Sequence, residues 1–181
     1  TVVPEGVRFG LTAIKGLGEG AIRSLIEVRD RTGRITSLHQ LCEELDLRLV
    51  NKKVLEALVK SGACDSLVPA GVPLVAGRAK LFGAVDSAIE HGNRTQRDRD
   101  QGQADLFGGG EEGGLSIIRL PDAPPWTEME LLANEKEALG LYLSGHPIDR
   151  HADNLRAFGA KTVGDLMLRD IPEGVEGAPG R

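Results

Sequence analysis

Aromatic side chains are scarce in this chain, with one Trp, one Tyr and four Phe among 181 residues. A surface that holds single-stranded nucleic acid by stacking bases on ring faces needs more of them, so that class of binder is disfavoured. Cysteine is scarcer still. Cys42 and Cys64 lie inside helical apolar patterns, and no paired CxxC stands near His39 and Cys42 to complete a metal site, so both read as reduced thiols of a cytoplasmic protein. No leader with a charged and then an apolar region opens the chain. No apolar run approaches the roughly 20 residues that cross a bilayer, which argues against membrane insertion.

Basic charge is also in deficit, 22 Lys and Arg against 27 Asp and Glu, for a net charge of −5. Neutralising phosphates with Lys and Arg supplies most non-specific affinity for DNA, so the sum disfavours a DNA binder. The distribution reverses that judgement locally. Residues 1–60 carry ten Lys and Arg against eight Asp and Glu, whereas residues 61–181 carry twelve against nineteen. If DNA is held, the first third holds it. The chain starts at Thr1 and runs into a Gly/Pro-rich stretch, Pro172 to Arg181, so it is expected to be a piece of a longer protein.

What is abundant is apolar residues at helical spacing: Ile22, Leu25, Ile26, then Leu38, Leu41, Leu45, then Leu55, Leu58, Val59. Short helices sharing one small core are expected from Val7 to Leu67. Ser37 with Gln40 three residues on predicts a capping box, Asn51 an N-cap, and Gly62 the residue that closes the helix opened by Asn51. Beyond the break at Pro69 to Pro73, the residues Leu81, Val85 and Ile89 predict one amphipathic helix that fades into the polar run His91 to Gln101. Residues 102–125 hold six glycines and three prolines, too little apolar material for a core, and read as a linker. Thr127 and Glu130 predict a capping box for a further helix, with shorter helices near Asn154 to Phe158 and Val163 to Leu168. The expected organisation is mainly α, with divisions at 1–68, 69–101, 102–125 and 126–181, and only Leu115 to Leu120 hints at a strand.

Leu11 to Ile26 reads LTAIKGLGEGAIRSLI, an apolar turn, then Lys15-Gly16-Leu17-Gly18, then an amphipathic helix that includes Gly20. This predicts a helix-hairpin-helix. Glycines let the turn approach a phosphate without a β-carbon in the way, while the next helix offers unpaired N–H groups and the positive end of its dipole. Gly16, Gly18 and Ala21 also satisfy a loose dinucleotide fingerprint, but that motif needs a preceding strand and a βαβ unit, neither of which the sequence supplies. A purely structural αα-hairpin stays open as the alternative. A degenerate second copy without glycines spans Leu38 to Lys60, where Arg48, Asn51, Lys52 and Lys53 stand at the corresponding turn.

Gln103-Ala104-Asp105-Leu106-Phe107 places two large apolar residues where no neighbouring periodicity can bury them. Either they fold back on their own chain or they anchor a partner. Asp98 and Asp100 mimic a metal pair, yet they lie in the charge run Arg97 to Asp100, which reads as solvated. His146 in Ser144 to Pro147 reads as a turn former, and no nucleophile with its base can be argued.

Four segments together resemble the α subunits of bacterial DNA polymerase III, in the region between fingers and OB domain: Val7 to Gly20, Val50 to Leu67, Gln103 to Phe107 and Glu135 to Asp149. EKEALGLYLSGHPID is the most distinctive of them. The resemblance implies a tandem helix-hairpin-helix domain that grips double-stranded DNA. It also implies a Q-x-D-L-F motif for the β sliding clamp, other subunits of the polymerase III holoenzyme as partners, and a helical lead-in to an OB domain outside this chain. The Mg²⁺-binding catalytic aspartates of the polymerase palm are likewise expected elsewhere, leaving this piece without catalytic residues or a cofactor. A protein-interaction module and the matching region of an error-prone C-family polymerase are the competing readings; a repair glycosylase or nuclease fragment lacks a convincing catalytic Asp or Lys.

Overall fold

The computed structural model describes residues 2–3, 6–7, 9–101 and 120–167. The pentapeptide Gln103 to Phe107 and most of the doubtful strand at Leu115 to Leu120 lie outside them. Val2–Val3 and Gly6–Val7 pair antiparallel, a minimal hairpin that the sequence does not announce. All other regular structure among the described residues is helical.

Eight α-helices follow in order: α1 Glu19–Thr32, α2 Leu38–Glu44, α3 Lys52–Lys60, α4 Leu74–Gly83, α5 Val85–Asp100, α6 Glu128–Leu139, α7 Ala152–Ala157 and α8 Val163–Met167. Their ends obey local chemistry. Asn51 accepts from the Val54 amide at 3.2 Å and so caps α3. Gly62, at φ +82°, ends it: the amides of Gly62 and Ala63 return to the carbonyls of Val59 and Leu58 in a Schellman arrangement. The Thr127–Glu130 capping box is complete. At α2 only half of the expected box forms. Ser37 accepts from the Gln40 amide, but the Gln40 side chain reaches one residue further back, to the amide and hydroxyl of Thr36.

One apolar core joins α1, α2, α3, α4 and α5, with Leu38, Leu45, Leu55, Val59, Leu81 and Val85 almost wholly removed from water. Each such side chain contributes roughly 1.5–3 kcal/mol. The amphipathic segment expected as a single helix is two: a break at Ala84 separates Leu81 of α4 from Val85 and Ile89 of α5. Nor does the helix fade at His91. It continues to Asp100 because its polar face has work to do on α2: Gln96 Nε2 donates to the carbonyls of Cys42, Glu43 and Leu45 at 2.9–3.2 Å, and His91 Nε2 lies 2.6 Å from Glu43. Gly92 makes this closeness feasible, since a β-carbon there would stand 2.5 Å from the Cys42 carbonyl oxygen.

The first compact unit extends through Ser144, so α6 and the stretch before it belong with the hairpins. Trp126 donates its amide to Val75 and meets Phe82 edge to face. Beneath α6 lies a buried ionic network. Arg78 donates two bonds to Asp65, at 2.7 and 2.6 Å, and one to Glu135 at 2.9 Å. Glu135, fully buried, also accepts from the amides of Leu143 and Ser144 and from the Ser144 hydroxyl. The distinctive segment from Glu135 to Asp149 is thus chemically demanding at its start. One carboxylate satisfies an arginine and folds the chain after α6 back on itself.

The second unit begins at Gly145. His146 shapes a turn as expected, its amide donating to Asp149 and its Nδ1 accepting from Ile148. α7 and α8 follow, with the Thr162 hydroxyl and amide bonded to Asp165.

Candidate nucleic-acid interface

A 3₁₀ turn, Leu11–Ala13, leads into Ile14, which is buried. Gly16 then reverses the chain at φ +82°, Leu17 packs against the core, and Gly18 at φ −73° opens α1. Lys15, Gly16, Gly18 and Gly20 are all exposed. No side chain caps α1, and the amides of a helix's first turn have no partner within the helix; of its first residues Glu19 and Gly20 are exposed and Ala21 is buried. A β-carbon built on Gly16 or Gly18 meets nothing within 4 Å. The two glycines therefore differ in purpose. Gly16 is needed for its left-handed torsion, whereas at Gly18 the protein itself would tolerate a side chain.

Lys15 also has a structural role. Its amide donates to the Ala138 carbonyl at 2.8 Å, and its Cε and Nζ lie 3.2 Å from where a β-carbon on Gly140 would stand. It sits at the C-terminal end of α6, where a helix dipole attracts positive charge. The hairpin is thereby seated on a helix more than a hundred residues away in sequence, a contact with no local signal. Glu19 at the first helical position is exposed and bonds Arg23 at 3.0 Å.

The degenerate second hairpin joins α2 to α3 through Leu45 to Val50, both of which are buried. Arg48 is highly exposed, and it curls onto Asp46 at 3.1 Å, an interaction that holds the Asp46 carboxyl below its ordinary range and the guanidinium above its own. Lys52 is bonded to Asp86 at 2.7 Å, which raises its pKa, with Glu56 more distant at 4.0 Å. Lys53 is exposed and carries no ion pair among the described residues. Leu49 touches the first hairpin, 3.7 Å from the β-position of Gly20.

Two clefts gather these residues. One, of about 550 Å³, is lined by Lys15 and Gly16 together with Asn51 and Lys53 of α3 and with Glu137 of α6. The other, of about 820 Å³, brings Arg48, Asn51 and Lys52 together beside the last turns of α5. Among the described residues no group of three His, Cys, Asp or Glu stands close enough to hold a metal ion. No helix among them is long and apolar enough to cross a membrane.

A glycine turn opening an uncapped helix, followed by a second helical hairpin on the same core, defines the class: residues 1–70 match the family model described as the helix-hairpin-helix motif. More particularly, about nine-tenths of the chain is homologous to DNA polymerase III subunit alpha. It is 39% identical to that subunit of Pseudomonas fluorescens over an alignment 178 positions long, which covers 92% of this chain and 15% of the relative. Against the Neisseria meningitidis serogroup A subunit the identity is 37%, covering 91% and 14%, and against that of Escherichia coli K12 it is 36%, covering 90% and 13%. The chain thus spans about one-seventh of the length of these relatives.

Proposed function

We propose that this chain is a DNA-holding and clamp-docking segment of a replicative polymerase α subunit, and that it carries none of the nucleotidyl-transfer chemistry itself. The observation that carries the reading is the exposed turn from Gly16 to Gly20, which opens a helix that no side chain caps and is tied to α6 through the Lys15 amide. Amides at such a helix start recognise phosphate oxygens by hydrogen bonding and by the helix dipole, and they read no bases. Lys15, Arg48, Asn51 and Lys52 border the same surface. Few phosphates can be neutralised there, so affinity for duplex DNA is expected on the order of 10⁻⁴–10⁻⁶ M and falls as salt rises.

Gly18→Ala is the sharpest test, because the alanine fits the folded protein and obstructs only an approaching phosphate. Fluorescence anisotropy with a labelled mixed-sequence duplex is expected to show roughly tenfold weaker binding, about 1.4 kcal/mol, with an unaltered urea midpoint. Unchanged affinity, or equal affinity at low and high salt, rejects the reading.

Gln103-Ala104-Asp105-Leu106-Phe107 is the clamp-docking half of the proposal. Its support is the sequence pattern: an apolar pair isolated in a Gly-rich stretch between the end of α5 and the segment at Leu120 that rejoins the core. Burial of a Leu and a Phe in a partner's pocket contributes roughly 1.5–3 kcal/mol each before ordering costs, a strength suited to a tether that must release. In a pull-down on purified clamp, Leu106→Ala with Phe107→Ala abolishes retention; a double variant that binds like the parent removes this half and leaves the DNA half standing.

A further inference from the structure

The two clefts share a wall. Asn51 lines both, so the clefts beside the glycine turn and beside α5 meet at the start of α3. On the far side stand Asn93, Gln96 and Arg97, residues that belong to neither hairpin. Gln96 ties this stretch of α5 to α2. Gln96 bonds three carbonyls at the end of α2, and Asp100 is close enough to Arg48 to act on its charge.

We infer that the phosphate track extends beyond the tandem hairpins onto the C-terminal half of α5, with Arg97 as a further ligand for the DNA backbone; this rests on the DNA-binding reading above. Most acidic groups of the second cleft are already matched inside the protein. Glu43 is taken by His91, Glu44 by Arg31 at 2.9 Å and Arg99 at 3.1 Å, and Asp46 by Arg48. Arg97, in contrast, is exposed and has no ion pair among the described residues. Eight cationic and six acidic side chains line the two clefts together, in a chain whose total is 22 against 27. The positive excess is therefore concentrated on this surface while the remainder of the molecule repels DNA, which orients a polyanion onto it.

The chemistry of the lining selects backbone over bases. No aromatic ring lines either cleft, so there is no platform for stacking, while the exposed Arg97 and the half-buried Asn93 supply donors suited to phosphate oxygens.

The test compares the full chain with Arg97→Glu, Arg97→Ala and, as a control of equal charge change outside both clefts, Arg34→Glu. Arg34 is likewise exposed without an ion pair, and it lines a separate apolar hollow. Anisotropy titrations with a mixed-sequence duplex across a salt series are expected to show Arg97→Glu weakening binding at least fivefold more than Arg34→Glu. Arg97→Ala lowers the slope of log affinity against log salt by about one, as removal of one phosphate contact requires. The loss is uniform across duplex sequences. If the parent binds, Gly18→Ala weakens it, and the Arg97 variants match the Arg34 control, the α5 extension is wrong and the hairpin reading survives. Parent protein that binds no duplex overturns both. Binding of an acidic peptide that depends on Arg97, with duplex affinity unchanged, assigns this cleft to a protein partner and overturns the extension too.

Discussion

A glycine can be present for the torsion it adopts or for the space it leaves, and Gly62 is present for both. Its φ is +82°, and a β-carbon there would collide with the Arg78 guanidinium and stand 2.9 Å from the Asp65 carboxylate. Gly71 has the same torsion, φ +81°, but nothing within 4 Å of its β-position. Gly71→Ala therefore isolates the conformational cost, about 1–2 kcal/mol, whereas Gly62→Ala adds displacement of a buried ion pair. Urea unfolding is expected to place Gly62→Ala at least about 2 kcal/mol below Gly71→Ala, since breaking such a pair costs about 3–5 kcal/mol. Equal losses would mean that Arg78 relocates without penalty.

At the scale of elements, much was legible where a helix end is decided by a few adjacent residues. Asn51, Gly62 and the Thr127–Glu130 box are local devices, and the structure places them where the sequence predicts. The glycine hairpin was legible for the same reason, because torsion and steric access are properties of four consecutive residues. The continuation of α5 was not, since the polar stretch after His91 looks solvated until the α2 carbonyls that Gln96 satisfies are brought beside it. Nor could the spacing of residues show that Lys15 is seated on Ala138, or that Arg78 and Glu135 meet across 57 positions. Long-range polar pairing leaves no periodic trace.

That pairing governs how α6 responds to acid. Burial alone would raise the Glu135 carboxyl, but the hydroxyl and amide of Ser144, the amide of Leu143 and Arg78 outweigh it and hold the group below its ordinary 4.5. A carboxyl lowered in the folded state binds fewer protons than in the unfolded chain. Its stabilisation is complete above about pH 4.5 and is lost as pH falls through the folded value. Glu135→Gln keeps the shape and removes the charge. It is expected to cost about 3 kcal/mol at neutral pH and to flatten the acid limb of a stability–pH curve, measured by urea melts. A variant that retains the parent's full acid dependence would show that other carboxyls govern it.

For the whole molecule the question is whether the hairpins, the α2–α5 layer and the seat on α6 open together. Two buried thiols report on this from different places: Cys42 on α2 against α5, and Cys64 just after α3. Burial pushes each up to about 12, with Glu43 adding to the effect at Cys42 and Asp65 at Cys64. Near pH 8 the thiolate fraction of the closed protein is on the order of 10⁻⁴, so alkylation proceeds through opened states. Both thiols belong to the same apolar cluster, so the parental alkylation rate at each site, read by mass spectrometry of quenched time points, is the baseline for its opening. Gln96→Ala removes the side chain that ties α5 to the end of α2, and should raise the Cys42 rate several-fold while Cys64 keeps the parental rate. Acceleration at both sites to the same degree would instead make α5 part of a single opening unit, so that loosening it would also loosen the base on which the glycine turn rests.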